Sequence, residues 1–105
     1  MSIGVIIPFN GKDDESFPLA GASTFKRYWL PGAVALNLEW IKQFDACLLV
    51  PNNLDAIMKE LRQLRNWFHK TQPEDTANAL AERIDRVLPA LEQLKEHKDF
   101  RIWIG

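Results

Sequence analysis

The sequence has few of the residue types that build catalytic and metal centres. Its 105 residues include one cysteine, Cys47, and two histidines, His69 and His97. A single cysteine excludes an internal disulfide, and its place in the apolar run ACLLV predicts a buried, unreactive thiol. The histidines are far apart, and neither has a Cys or His three or four residues away, so we expect no metal site. We therefore predict no catalytic residues, no cofactor and a protein that is not an enzyme.

The sequence also lacks an excess of charge and a long apolar run. Its 13 basic and 14 acidic residues give a formal net charge of -1, whereas a nucleic-acid-binding domain usually has a basic excess. No run approaches the ~18 apolar residues of a membrane span, and no cationic segment followed by an apolar one opens the chain. We expect no nucleic-acid partner, no membrane and a cytoplasmic location, which the single cysteine also favours.

Two amphipathic helices dominate what the sequence does contain. Over residues 53–68, apolar side chains recur at intervals of three and four, which places them on one face of a helix. These are Leu54, Ile57, Met58, Leu61, Leu64 and Phe68. A second helix is expected over 73–96, with Pro73 in its first turn and a bend at Pro89. Its apolar face comprises Leu80, Ile84, Val87, Leu88, Leu91 and Leu94.

Short apolar segments supply the predicted strands. Residues 3–9 (IGVIIPF) are apolar at nearly every position and predict a strand buried on both faces or nearly so. Residues 100–104 (FRIWI) alternate, which predicts a strand with one inner face. Residues 38–44 alternate imperfectly, and 47–50 form another short strand. These two segments are either a hairpin or one strand with a bulge near Asp45. Residues 10–22 contain the turn dipeptide Asn10-Gly11 and are predicted as a loop.

A shorter helix is predicted after Ser23 or Thr24, either of which can act as its N-cap. Pro31 and Gly32 interrupt it, so we expect one helix with a kink at Pro31 or two short helices that meet there. The whole pattern predicts an α+β fold with a single domain over residues 1–105. A three- or four-stranded sheet is covered by two long amphipathic helices and the shorter kinked one. The order of the strands stays open.

The candidate partner-binding residues are an acidic run and two tryptophans. Asp13, Asp14 and Glu15 concentrate negative charge in the predicted loop, a pattern that steers association with a basic partner. Trp67 and Trp103 are predicted interface anchors, because exposed tryptophans often contribute most to protein binding. We therefore expect the partner to be another protein.

The layout of the chain resembles that of small bacterial immunity proteins, which neutralise toxins of polymorphic and contact-dependent growth inhibition systems. The similar features are the N-terminal strand IGVIIPF, the strand–proline–helix joint CLLVPNNLDAIMKELRQLR, and the helix RIDRVLPALEQLK before the final strand DFRIWIG. The resemblance implies a cytoplasmic non-enzyme that binds one cognate toxin domain and blocks it. Many such toxins are nucleases with basic clefts, which the acidic run at 13–15 would suit.

An alternative binding mode and an alternative function remain open. The near-neutral charge departs from strongly acidic immunity proteins, so binding beside the toxin's cleft is as plausible as plugging it. The chain is alternatively a non-enzymatic adaptor or a self-associating domain, which would use Trp67 and Phe68 or the edge of the strand at 100–104.

Overall fold

The computed structural model describes residues 2–7 and 15–105. These residues form the predicted α+β domain, with an antiparallel four-stranded sheet on one side and helices on the other. The elements are β1 (Ser2–Ile7), β2 (Glu15–Gly21), α1 (Ala22–Thr24), α2 (Leu30–Leu36), β3 (Cys47–Leu49), α3 (Pro51–Thr71), α4 (Glu74–Leu94) and β4 (Ile102–Ile104). A π-helical turn, Phe25–Trp29, joins α1 to α2, and a 3-10 turn, Ile41–Gln43, precedes β3.

The sheet has the strand order β2-β1-β4-β3, so the first and last strands lie at its centre. Val5 pairs with Ile104 across β1 and β4, and Leu48 pairs with Trp103 across β3 and β4. Because successive side chains of a strand point to opposite faces, residues that are paired across antiparallel strands share a face. The register therefore separates each strand into an inner set, under the helices, and an outer set.

The inner set supplies the sheet side of the hydrophobic core. In β1, β3 and β4 its side chains are at most 3% exposed and are Ile3, Val5, Ile7, Cys47, Leu49, Ile102 and Ile104. The predicted apolar faces of α3 and α4 cover them, and Leu61, Leu64 and Ile84 are almost completely buried. The thiol of Cys47 lies within this core, as predicted.

The two long helices are confirmed and pack side by side. α3 begins at Pro51, two residues before the prediction, because proline suits a first turn that needs no N–H. α4 continues through Pro89. Ion pairs join the two helices along their exposed edges: Arg65 to Asp85 at 2.9 Å, and Lys95 to Asp55 at 3.3 Å. Exposed pairs of this kind contribute little to stability, so the buried apolar faces hold the helices together.

The break expected at Pro31 takes the form of a π-helical turn immediately before it. The N–H of Leu30 donates to the carbonyl of Phe25, one residue further back than in an α-helix. Proline has no N–H and its ring crowds the carbonyl four residues earlier, so the wider turn lets the helix run on into α2. The turn also places Trp29 in the core, between the rings of Phe25, Phe44 and Phe68.

Two of the predicted elements are wrong. The predicted loop at 10–22 includes the strand β2 over its last part. A strand at the edge of a sheet has only one neighbour, so it tolerates Pro18, which cannot donate a hydrogen bond. The expected strand at 38–44 is instead a series of turns around the 3-10 segment. Leu38, Ile41 and Phe44 are buried there, and their spacing of three fits a 3-10 turn.

Candidate functional site

Three large apolar side chains form a row across the outer face of the sheet. Trp103 of β4 pairs with Leu48 of β3. On the other side, the Val5–Ile104 pairing places Ile6 of β1 next to Trp103. Their exposed fractions are 56% for Ile6, 59% for Trp103 and 37% for Leu48. Ile6, Trp103 and Leu48 are called the outer row below.

The outer row includes a β1 residue that the sequence-based prediction did not expect to be exposed. β1 is apolar at nearly every position and was expected to be buried on both faces or nearly so. Only its inner residues are covered, while Ser2 and Ile6 are exposed on the outer side. The described helices all lie against the other face, and a row of adjacent exposed apolar side chains is typical of an interaction surface.

A recess of about 490 Å³ lies beside Trp103 on the same face. Its floor is bare backbone, because Gly4 and Gly105 are hydrogen-bonded to each other across the central strands, at 3.2 and 3.4 Å. Trp103 lies partly over this floor: a Cβ on Gly105 would be only 2.6 Å from Trp103 Nε1. Pro18 and Arg101 also line the recess, which we call the outer recess.

The edge of the sheet at β3 is closed by a side chain. Asn53, at the start of α3, is only 6% exposed. Its Nδ2 donates a hydrogen bond to the carbonyl of Leu48 at 2.9 Å. Its Oδ1 accepts from the N–H of Val50, also at 2.9 Å. The amide thus occupies the backbone groups that another strand would use, which is how edge strands avoid unwanted pairing.

The opposite edge, at β2, is also poorly suited to an added strand. Pro18 offers no N–H, and its carbonyl accepts from Arg83 Nη1 of α4 at 3.3 Å. The register with β1 shifts next to Pro18, which leaves Leu19 as the extra residue of a bulge. Proline and bulges both discourage edge-to-edge pairing. A partner is therefore expected to meet the outer face of the sheet and not one of its edges.

The predicted partner-binding residues do not lie together. Trp103 is on the outer face, but Trp67 of α3 is half-buried and lies against Gly32 of α2 in the helical layer. Glu15 is exposed at the start of β2, and Asp13 and Asp14 lie outside the described residues. The suggestion that residues 100–104 offer a sheet edge is wrong, because β4 lies between β1 and β3.

The alternative interface at Trp67 and Phe68 is also altered by the structure. Phe68 is completely buried against Trp29, so it has no surface for a partner. Val34 and Leu36 of α2 are exposed, at 67% and 37%. Residues two apart on a helix do not face each other, so these two do not make a continuous surface comparable to the outer row.

The two ionisable side chains whose pKa values are shifted by burial, Glu60 and Cys47, have structural roles. Glu60 Oε1 accepts from the N–H groups of Trp40 and Ile41, at 3.0 and 3.1 Å, and so caps the 3-10 turn. Burial raises the pKa of the Glu60 carboxyl above its ordinary value. Burial also raises the pKa of the Cys47 thiol, and the charge of Glu60 adds to the effect. A thiol with a raised pKa stays protonated and is a poor nucleophile.

Both histidines are exposed, His69 in the last turn of α3 and His97 after α4. Among residues 2–7 and 15–105, no three His, Cys, Asp or Glu side chains are grouped as a metal site requires. Within the same ranges, no helix has the length and apolar character needed to cross a membrane. Comparison of the chain with protein-family models, curated proteins and solved structures finds no match.

Proposed function

We propose that this chain is an immunity protein that binds and neutralises a cognate bacterial toxin domain in the cytoplasm, by protein–protein contact and without catalysis. The observation that carries the binding part of the proposal is the outer row. Ile6, Trp103 and Leu48 come from three different strands, and together they remain exposed on one face. The link to toxins comes from the resemblance of the layout to immunity proteins.

The shape of this surface favours a protein over a small molecule. A small ligand is usually enclosed in a cleft, whereas the outer row is a ridge on an open sheet beside a shallow recess. Tryptophan is among the residues that contribute most to protein interfaces, above all when apolar neighbours exclude water around it. Trp103, flanked by Ile6 and Leu48, has that arrangement.

Two features of the chain favour different surfaces on the partner. The acidic run at 13–15 would favour a basic surface, such as the cleft of a nuclease, and stays a prediction. The outer row favours an apolar surface. The structure supports the proposal through the outer row, with Trp103 as the central anchor.

The test is co-expression of this chain with the product of the adjacent upstream gene. We expect the two to co-purify as a stable complex and the chain to restore growth to cells that express the toxin. Trp103→Ala should weaken the complex, while Trp40→Ala, a substitution of a half-buried tryptophan away from the sheet, controls for loss of an indole. A chain that neither binds nor protects against any neighbouring toxin domain would contradict the proposal.

A further inference from the structure

The charge of the residues that line the outer recess indicates the charge of the partner that would bind there. Among the described side chains that line the recess, Arg101 is the only charged one. The other lining residues are apolar, hydroxyl-bearing or glycine, and include Ser2, Ser16, Pro18 and Trp103. Arg101 is exposed, so its guanidinium is available at the rim of the apolar surface.

We infer that the outer face binds an acidic segment of a partner protein, with a large apolar side chain of that segment on Trp103 and an adjacent carboxylate on Arg101. This inference rests on the proposed function for the identity of the partner as a protein. A guanidinium binds a carboxylate through two parallel hydrogen bonds, and the indole N–H of Trp103 is a further donor on this face. The apolar side chain would lie on Trp103 at the outer recess, whose floor is the backbone of Gly4 and Gly105.

The same features disfavour two other occupants. A second copy of this chain, docked face to face, would bring another Arg101, and the lining residues that the structure describes include no Asp or Glu to pair with it. Like charges brought together at an interface oppose association. A nucleic acid would need several phosphate contacts to bind, and a single arginine beside an apolar ridge supplies one.

The partner segment is also expected to dock as a helix or as a loop and not as an added strand. Asn53 occupies the backbone groups at the β3 edge, and Pro18 with Arg83 blocks the β2 edge. Affinity must then come from side chains on the face of the sheet. This makes Trp103 and Arg101 the two positions at which substitution should have the largest effect.

A library of random short peptides displayed on phage tests the inference without any toxin. The library is selected on the native chain after removal of peptides that bind the Arg101→Ala/Trp103→Ala double variant. We expect the selected peptides to combine a large apolar residue with Asp or Glu. Their binding should weaken about tenfold in Arg101→Glu, because the charge is reversed, while Lys59→Glu on α3 makes the same charge change and should have little effect.

Several results would overturn the inference. One is that no peptide is enriched on the native chain, or that the enriched peptides are rich in Lys or Arg or show no preference for carboxylates. Another is that the peptides bind Arg101→Glu as tightly as the native chain. A third is that the native chain has a monomer–dimer equilibrium that Trp103→Ala abolishes. Failure of the proposed function looks different. In that case the acidic peptides bind as expected but no neighbouring toxin domain does. If a toxin binds and Arg101→Glu leaves its affinity unchanged, only the inference fails.

Discussion

The inner and outer faces of the sheet are built from alternate residues of the same four strands, but they differ in what covers them. In β4, Ile102 and Ile104 are 3% and 2% exposed, while Trp103 between them is 59% exposed. In β1, Ile7 is 1% exposed and the neighbouring Ile6 is 56% exposed. Composition does not separate the two faces at these positions, since both carry large apolar side chains.

The apolar residues on the two faces of the sheet therefore have different roles. The inner side chains hold the helices on the sheet, and their burial stabilises the fold by about 25 cal/mol per Å² of apolar surface. The side chains of the outer row remain 37–59% exposed in the isolated chain, so part of the stabilisation that they can contribute is still available for a partner. Substitutions on the two faces should therefore affect different quantities.

The largest effect is expected for Ile104→Ala on the inner face. Ile104 lies in the centre of the sheet beside Val5, where a cavity cannot easily collapse. We expect a loss of about 2–5 kcal/mol in the free energy of unfolding, measured by urea denaturation. A loss below about 1 kcal/mol would show that the helices do not depend on this face.

A smaller loss is expected for Gly32→Ala, although alanine is the better helix former. A Cβ at position 32 would lie 2.5 Å from Leu64 Cδ1 and 2.9 Å from Trp67 Cε3. Overpacking typically costs about 1–3 kcal/mol, whereas the gain in helix propensity is about 0.5–1 kcal/mol. The variant should unfold at lower urea concentration than the native chain.

Gly21→Ala is the matched control, because a Cβ there would contact nothing within 4 Å. It should change stability by about 0.5 kcal/mol or less. If Gly32→Ala is instead the stabilising variant of the two, Trp67 is not packed on α2 as described and is available to a partner.

Asn53→Ala should weaken the closed edge of β3. The substitution leaves the carbonyl of Leu48 and the N–H of Val50 without their partner, at a cost of about 1–3 kcal/mol. Asn52→Ala, at the exposed neighbouring position, is the control. Sedimentation of Asn53→Ala should also reveal association that increases with concentration, because the edge can now pair. A monomer as stable as the native chain would contradict this role for Asn53.

The pH dependence of stability should report on Glu60. Its pKa is raised in the folded chain by burial, so the folded state holds this proton to higher pH than the unfolded state does. Stability from this group is therefore greatest at acidic pH and decreases as the pH rises from the ordinary value of a glutamate through the folded value. Relative to the native chain, Glu60→Gln should therefore gain stability as the pH rises above the ordinary pKa of a glutamate. The measurement is the free energy of unfolding of both chains as a function of pH. A difference between them that does not change with pH would exclude this effect.

The long helices could be predicted from the sequence because each repeats its apolar spacing over several turns. Shorter elements lack that redundancy. β2 was missed because Pro18, Gly21 and the acidic run at 13–15 resemble a loop, and only its pairing with β1 makes it a strand. The turns at 38–44 were read with a period of two, although the spacing of Leu38, Ile41 and Phe44 was the available signal for a 3-10 turn.

The candidate site could be predicted only in part. The alternation at 100–104 placed Trp103 away from the inner face, and the structure agrees. Ile6 could not be assigned in the same way, because its neighbours in β1 are apolar on both sides. The outer row as a unit depends on the strand order, which joins residues from both ends of the chain and from the middle. No local pattern encodes that order.

The most direct test of the division between the two faces is the free energy of unfolding of Trp103→Ala, measured beside Ile104→Ala under the same conditions. The two residues are consecutive in β4 and differ in the face that they occupy. We expect Trp103→Ala to cost about 1 kcal/mol or less, at least about 1 kcal/mol below the cost of Ile104→Ala. Equal losses in the two variants would mean that the outer row supports the fold, and would contradict its assignment as a docking surface.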